Sequence, residues 1–277
     1  MTSNILKHGF LLLGAAVMAF PFYWMLTTSF KSFVEAQSYP PTFWPAVWHF
    51  ENWAEAWNFP NTRWPRSFAN TIFVATVVTL GTIVSAVLAA YAFARMQFRG
   101  RGLLFSIFLL TIFIPNEATL IPNFVLMSRR YLGWYDTYTA QIVPFLASVF
   151  SIFLLRQFFL GVPREIEEAA ILDGANTFQI YWQIMLPLVK PALLAIGVLS
   201  FQGNWNNFEG PLIYLNTLEK YPMVLGLQFF GESLSREAPK YHYMMAMSTL
   251  MAAPILALFF FAQRYFIEGL TVGAVKG

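Results

Sequence analysis

Six apolar stretches separated by polar breaks constrain this chain more than any other feature, because each is about as long as the 20 or so residues a helix needs to cross a bilayer. They run from about Phe10 to Thr28, Asn70 to Ala94, Leu103 to Leu126, Thr139 to Leu160, Ala192 to Ile213 and Met244 to Phe266. Hydrocarbon offers no water to backbone amides and carbonyls, so stretches of this length must satisfy their hydrogen bonds internally. The expected fold is all-α, a polytopic membrane protein with about six transmembrane helices. Only 11% of the 277 residues are charged, too few to surround a soluble core of this size. The 30 Phe and 9 Trp suit lipid-facing surfaces with aromatic belts at the headgroups. The first stretch follows Lys7 as a signal peptide would, yet it continues through Phe20-Pro21-Phe22-Tyr23-Trp24 without a small-residue cleavage site, so a retained helix is expected.

Several function classes find no support. The chain has no cysteine, hence no disulfide and no thiolate metal site, and His8, His49 and His242 are scattered without ligand spacing. The net charge of +3 comes with no basic run that suggests nucleic acid. There is no Gly-rich phosphate loop, nucleophile elbow or HExxH helix, so neither a catalytic site nor a cofactor is expected in this chain.

The polar interruption from about residue 161 to 186 has its own logic. Pro163 suits the first turn of a short helix, where a missing amide proton costs little, and Glu165, Glu167 and Glu168 favour that helix's positive end. A helix is expected from about Pro163 to Leu172. Gly174 supplies freedom for a sharp reversal, Asn176 or Thr177 can cap a second helix, and Pro187 is expected to end the unit. Two short helices at an elbow result.

Glu168, Ala169, Ala170, Gly174, Ile184, Leu186 and Pro187 match the fixed positions of the cytoplasmic loop in binding-protein-dependent ABC importer permeases. Ala90-Tyr91-Ala92-Phe93-Ala94-Arg95, Trp205-Asn206-Asn207-Phe208 with Pro211-Leu212-Ile213, and the ending from Gly269 to Gly277 extend the likeness over most of the chain. On these residues the chain resembles the second, six-helix permease subunit of the maltose-type carbohydrate importers. The resemblance implies a single transmembrane permease domain over residues 1–277, importing a sugar or oligosaccharide. It implies that Glu168, Ala169, Ala170, Asp173, Gly174, Ala175, Ile184, Leu186 and Pro187 couple to an ATPase, and that Thr271, Gly273, Lys276 and Gly277 of the 269–277 tail reach between two ATPase subunits. The implied partners are a second permease in a heterodimer, two ATPase subunits carrying ATP and magnesium, an extracytoplasmic solute-binding protein and membrane lipid.

Orientation follows from basic loops. Arg95, Arg99 and Arg101 lie between the second and third stretches, and Arg156, Arg164 and Lys190 flank the elbow, which places both on the cytoplasmic side together with both termini. Arg129 and Arg130 count against this orientation. The expected location is a bacterial or archaeal cytoplasmic (inner) membrane. Prolines and tryptophans are interleaved between Tyr39 and Trp64, a pattern that fits either a docking surface or an aromatic anchor, with Trp53 and Trp57 on one face of a short helix. Gly81, Ser85 and Ala89, four apart, form a ridge for close helix packing.

Polar groups at membrane depth are candidates for a substrate path. Asn70, Glu117 and Asn123 qualify, the last two beside Pro115 and Pro122, and so does the cluster Gln202, Asn204, Trp205 and Asn207. Amides meet sugar hydroxyls and an indole can stack on the CH face, whereas the alternative role, interhelical hydrogen bonding, is worth about 0.6 kcal/mol each. The central stretches offer no Arg or Lys, which favours a neutral sugar over the alternatives of a glycerol phosphate or acidic oligosaccharide. An ion-coupled carrier built on Glu117 would call for an inverted internal repeat, and none is visible.

Overall fold

The structure, a computed structural model, describes residues 2–60, 62–231 and 238–274, the side chains of 2–5 and 264–274 excepted. In chain order its helices are α1 (Thr2–Thr28), α2 (Glu51–Trp57), α3 (Trp64–Arg95), α4 (Arg101–Leu110), α5 (Asn116–Met127), α6 (Tyr138–Ile142) and α7 (Val149–Gly161). These are followed by α8 (Arg164–Leu172), α9 (Thr177–Gln179), α10 (Leu186–Leu188), α11 (Lys190–Trp205), α12 (Glu209–Tyr214), α13 (Met223–Gly226) and α14 (Tyr241–Ala274). Among the described residues all regular structure is helical, as expected. Four spans are long and apolar enough to cross a bilayer, and six if each of two bent helix pairs counts as one.

The bends depart from the continuous helices expected. The third stretch breaks at Ile114 and Pro115, both extended, and its halves diverge by 98°. Proline's ring disfavours helical backbone in the residue before it, which is why the break falls there. The fifth stretch ends at Trp205, short of Ile213. There the side chain of Asn206 donates to the Gln202 carbonyl (3.1 Å), and Asn207 Oδ1 accepts from the Gly210 amide (3.2 Å), so side-chain amides replace the helical ladder.

The chain packs as two compact units, Met1–Ala69 with Tyr221–Leu256, and Asn70–Lys220 with Ala257–Gly277. In the first, Trp64 is fully buried and stacked on Phe230 at 5.8 Å, and α1 exposes nearly all its apolar side chains to the surroundings. Trp53 and Trp57 do share α2, but both are half-buried, and the exposed aromatic face is Tyr39, Phe43, Trp44 and Phe50 in the loop before it.

In the second unit, α3 presents Ala86, Ala90 and Ala94 at every fourth position. Side chains this small let α7 and the elbow approach closely, and one continuous core joins them to Leu155, Phe159, Tyr181 and Met185. The neighbouring ridge works the same way: a Cβ on Gly81 would come within 2.3 Å of Leu146 Cδ2, and Ser85 donates its hydroxyl to the Leu146 carbonyl.

Candidate functional site: a helical elbow and a polar cavity

The elbow forms for the local reasons expected, with two corrections. Pro163 occupies the cap position of α8, in extended backbone, so the helix itself begins at Arg164. Gly174 reverses the chain at φ +85°, in the left-handed region that favours glycine. Asn176 then caps α9 through a reciprocal pair, accepting from the Gln179 amide (2.9 Å) while its own amide donates to Gln179 Oε1 (2.8 Å). The second correction concerns Pro187, which falls one residue inside the end of the unit. Thr177–Leu188 run as one helix with a π turn at Ile180–Met185, and Pro187 lies in its last turn, one residue before its end. The break falls at Val189, where the chain bends by 71° into α11.

This elbow has two faces. Ala170 is buried, and Ala175, Ile184 and Leu186 pack against the core shared by α3 and α7. Glu168, Ala169, Asp173, Gly174 and Pro187 are exposed. Beside them stand Leu172, Phe178 and Trp182, 88%, 71% and 58% exposed, the latter two with their rings stacked. Arg95, at the end of α3, fixes the inner face: its Nη2 donates to the carbonyls of Phe159 and Val162 at the end of α7, and its Nε lies 3.5 Å from Glu167 Oε1 on α8. Tyr91, one turn earlier, packs edge-on against Tyr181 of the elbow at 5.0 Å.

Within the same unit, away from the elbow, α5, α7, α11 and α12 line an open cavity of about 610 Å³. Asn123, Asn204 and Asn207 line it, as the sequence suggested. The other expected path residues lie outside its lining. Glu117 and Gln202 are exposed elsewhere, and Trp205 is 1% exposed with its ring on Phe201 at 5.4 Å. Asn70 is held by structure, accepting from Tyr138 Oη and donating to the Glu219 carbonyl, both at 2.8 Å. Sequence reading missed Ser148, Ser151, Ser200, Thr119 and Glu209, which also line the cavity. A serine in a membrane helix carries no signal of its direction, but Glu209 in an apolar stretch did.

The far end of this unit is tied by Asp136, at φ +58°, whose carboxylate accepts from the amides of Asn216 and Thr217 (3.0 Å each), the Thr217 hydroxyl and Lys220 Nζ (3.0 Å). Thr271 and Gly273 belong to the backbone of α14, and Lys276 and Gly277 lie outside the described residues.

Comparison with known proteins agrees with this architecture. Residues 81–272 match the family described as binding-protein-dependent transport system inner membrane component. The chain is 37% identical over 210 residues to the arabinooligosaccharides transport system permease protein AraQ of Halalkalibacterium halodurans, covering 76% of this chain and 74% of that one. It is 32% identical to the trehalose/maltose transport system permease protein MalG of Thermococcus litoralis over the full length of both. A chain of the crystal structure of a bacterial ABC transporter importing the acidic polysaccharide alginate superposes with TM-score 0.84 at 26% identity, over 96% of each. Elbow, spans and homology together place the chain among the multi-pass inner-membrane components of binding-protein-dependent transport systems, as a permease subunit of an ABC importer.

Proposed function

We propose that this chain forms, with a second and different permease subunit, the path by which an uncharged sugar or oligosaccharide crosses the membrane. The observation that carries this reading is the cavity lining: amides from Asn123, Asn204 and Asn207, hydroxyls from Ser148, Ser151 and Ser200, and the rings of Phe150 and Tyr214. Such a mixture offers donors and acceptors to sugar hydroxyls and flat apolar faces to sugar CH groups. The names of the arabinooligosaccharide and trehalose/maltose relatives support the same substrate class.

The solute arrives from an extracytoplasmic binding protein, and the drive comes from two ATPase subunits that hold ATP and magnesium. On this reading the elbow and the Arg95 to Arg101 loop face the cytoplasm, as do both termini. Glu168, Asp173 and Gly174, with exposed Leu172, Phe178 and Trp182, form the ATPase docking face, since an apolar patch rimmed by charge marks an interface. Thr271, Gly273, Lys276 and Gly277 of the tail contact the same motor. The inner face of the elbow is welded to α3 and α7, so displacement of the docking face moves those helices with it.

Uptake by the complete complex in liposomes, with a panel of sugars presented on its own binding protein, tests this. ATP-dependent uptake of a neutral oligosaccharide is expected. Uptake that persists without ATP, or is confined to a glycerol phosphate, overturns it.

A further inference from the structure

We propose that Glu209 is the charge filter of the cavity, admitting uncharged and amino-bearing saccharides and turning away uronates and sugar phosphates. This rests on the reading that the cavity carries the solute. Of the side chains lining it, Glu209 is the single carboxylate, and no lysine, arginine or histidine joins it. Among the described residues the carboxylate has no ion-pair partner.

Its position is fixed by the chain around it. Helix α11 ends at Trp205, α12 begins at Glu209, and the intervening turn is held by Asn207 Oδ1 accepting from the Gly210 amide. Gly210 is buried, and a Cβ there would meet Asn207 Nδ2 at 3.1 Å, so the turn that presents Glu209 has little room to shift. Glu209 is exposed, so its charge is partly screened, and it acts on a charged solute through the potential it adds along the cavity wall. A carboxylate- or phosphate-bearing solute meets repulsion with no compensating cation on this chain. An ammonium group on a sugar meets an acceptor instead. Likeness of fold to an importer of an acidic polysaccharide therefore does not carry over to the charge of this chain's solute.

The chain lacks cysteine, so Ser200→Cys places one reporter thiol in the cavity of the assembled complex. Its rates of reaction with a cationic and an anionic methanethiosulfonate of similar size, read by mass on this subunit, report the local potential without any choice of sugar. The cation-to-anion rate ratio is expected to fall about tenfold with Glu209→Gln and to stay at the parent value with Glu209→Asp. In uptake, Glu209→Gln should raise transport of a uronate-terminated trisaccharide relative to its neutral counterpart. An unchanged rate ratio in Glu209→Gln overturns the charge filter. If modification of Ser200→Cys by a bulky neutral reagent leaves uptake intact, the cavity is off the path, and the underlying reading fails instead.

Discussion

Arg95 Nε and Glu167 Oε1 face each other at 3.5 Å across the junction of α3 and α8, with their side chains only 5% and 18% exposed. Neither atom has a hydrogen-bond partner, so this is a buried contact of opposite charges with room to tighten, set between a spanning helix and the elbow. Nη2 of the same guanidinium holds the end of α7 through the carbonyls of Phe159 and Val162. One side chain thus links three helices.

Removing one member of a buried pair leaves the other uncompensated, a loss of about 3 kcal/mol. Arg95→Gln should therefore destabilise more than Glu167→Gln, because it also releases the α7 carbonyls. In both, uptake per ATP hydrolysed is expected to fall severalfold while basal ATPase activity persists. The ratio of transport to hydrolysis in liposomes decides the matter: if it is unchanged in assembled Arg95→Gln complex, the link does not transmit motion.

Gly174 separates backbone strain from crowding. Its φ of +85° disfavours any Cβ, yet a Cβ built there meets nothing within 4 Å. Within this chain Gly174→Ala should cost about 1 kcal/mol of strain, Gly174→Asn less, and Gly174→Val more, since β-branched residues tolerate left-handed backbone poorly. If transport follows that order, the turn's conformation matters. Equal loss in all three variants would point to close approach by the ATPase at this position.

The elbow was legible because its determinants are local. Gly174 needs only its own φ, and Asn176 with Gln179 only three residues of spacing. Pro187 marked the boundary closely, since its helix ends one residue later and the bend follows at Val189. The cavity was legible only in part, for a different reason. Its helices are apolar nearly all round, so periodicity does not say which way a residue points. Asn204 and Trp205 are adjacent, yet one lines the cavity and the other is packed on Phe201. Packing between helices made that choice.

That difference yields a contrast between neighbours. Trp205→Ala removes a side chain 1% exposed and should cost about 3–5 kcal/mol, lowering the amount of assembled complex without altering its preference among sugars. Asn204→Ala releases an amide that donates to the Ser200 carbonyl at 2.8 Å beside the cavity, and should change relative uptake across a sugar panel at near-normal assembly. Altered preference in the Trp205 variant with normal assembly would restore the indole to the solute path.

The Asp136 tie makes a pH prediction outside the spans. Partial burial pushes its carboxyl pKa up, but hydrogen bonds from the Thr217 hydroxyl, the Asn216 and Thr217 amides and Lys220 outweigh this and hold it well below the usual carboxylate range. A depressed folded value means the tie contributes fully above the unfolded pKa of about 4 and fades as pH falls below it, since the unfolded state then takes up protons first. Asp136→Asn keeps the shape and an acceptor oxygen but loses the charge opposite Lys220, and should lower the unfolding temperature of the solubilised complex at pH 7. The same substitution should reduce the further drop on acidification toward about pH 3, because the titrating group is gone. Asparagine also tolerates the backbone at φ +58°, so strain does not confuse the comparison. An acid-induced drop as steep in Asp136→Asn as in the parent complex would mean that other carboxylates set the acid limit, and that the tie between the Asp136 loop and Lys220 holds the far end of this unit without governing its stability.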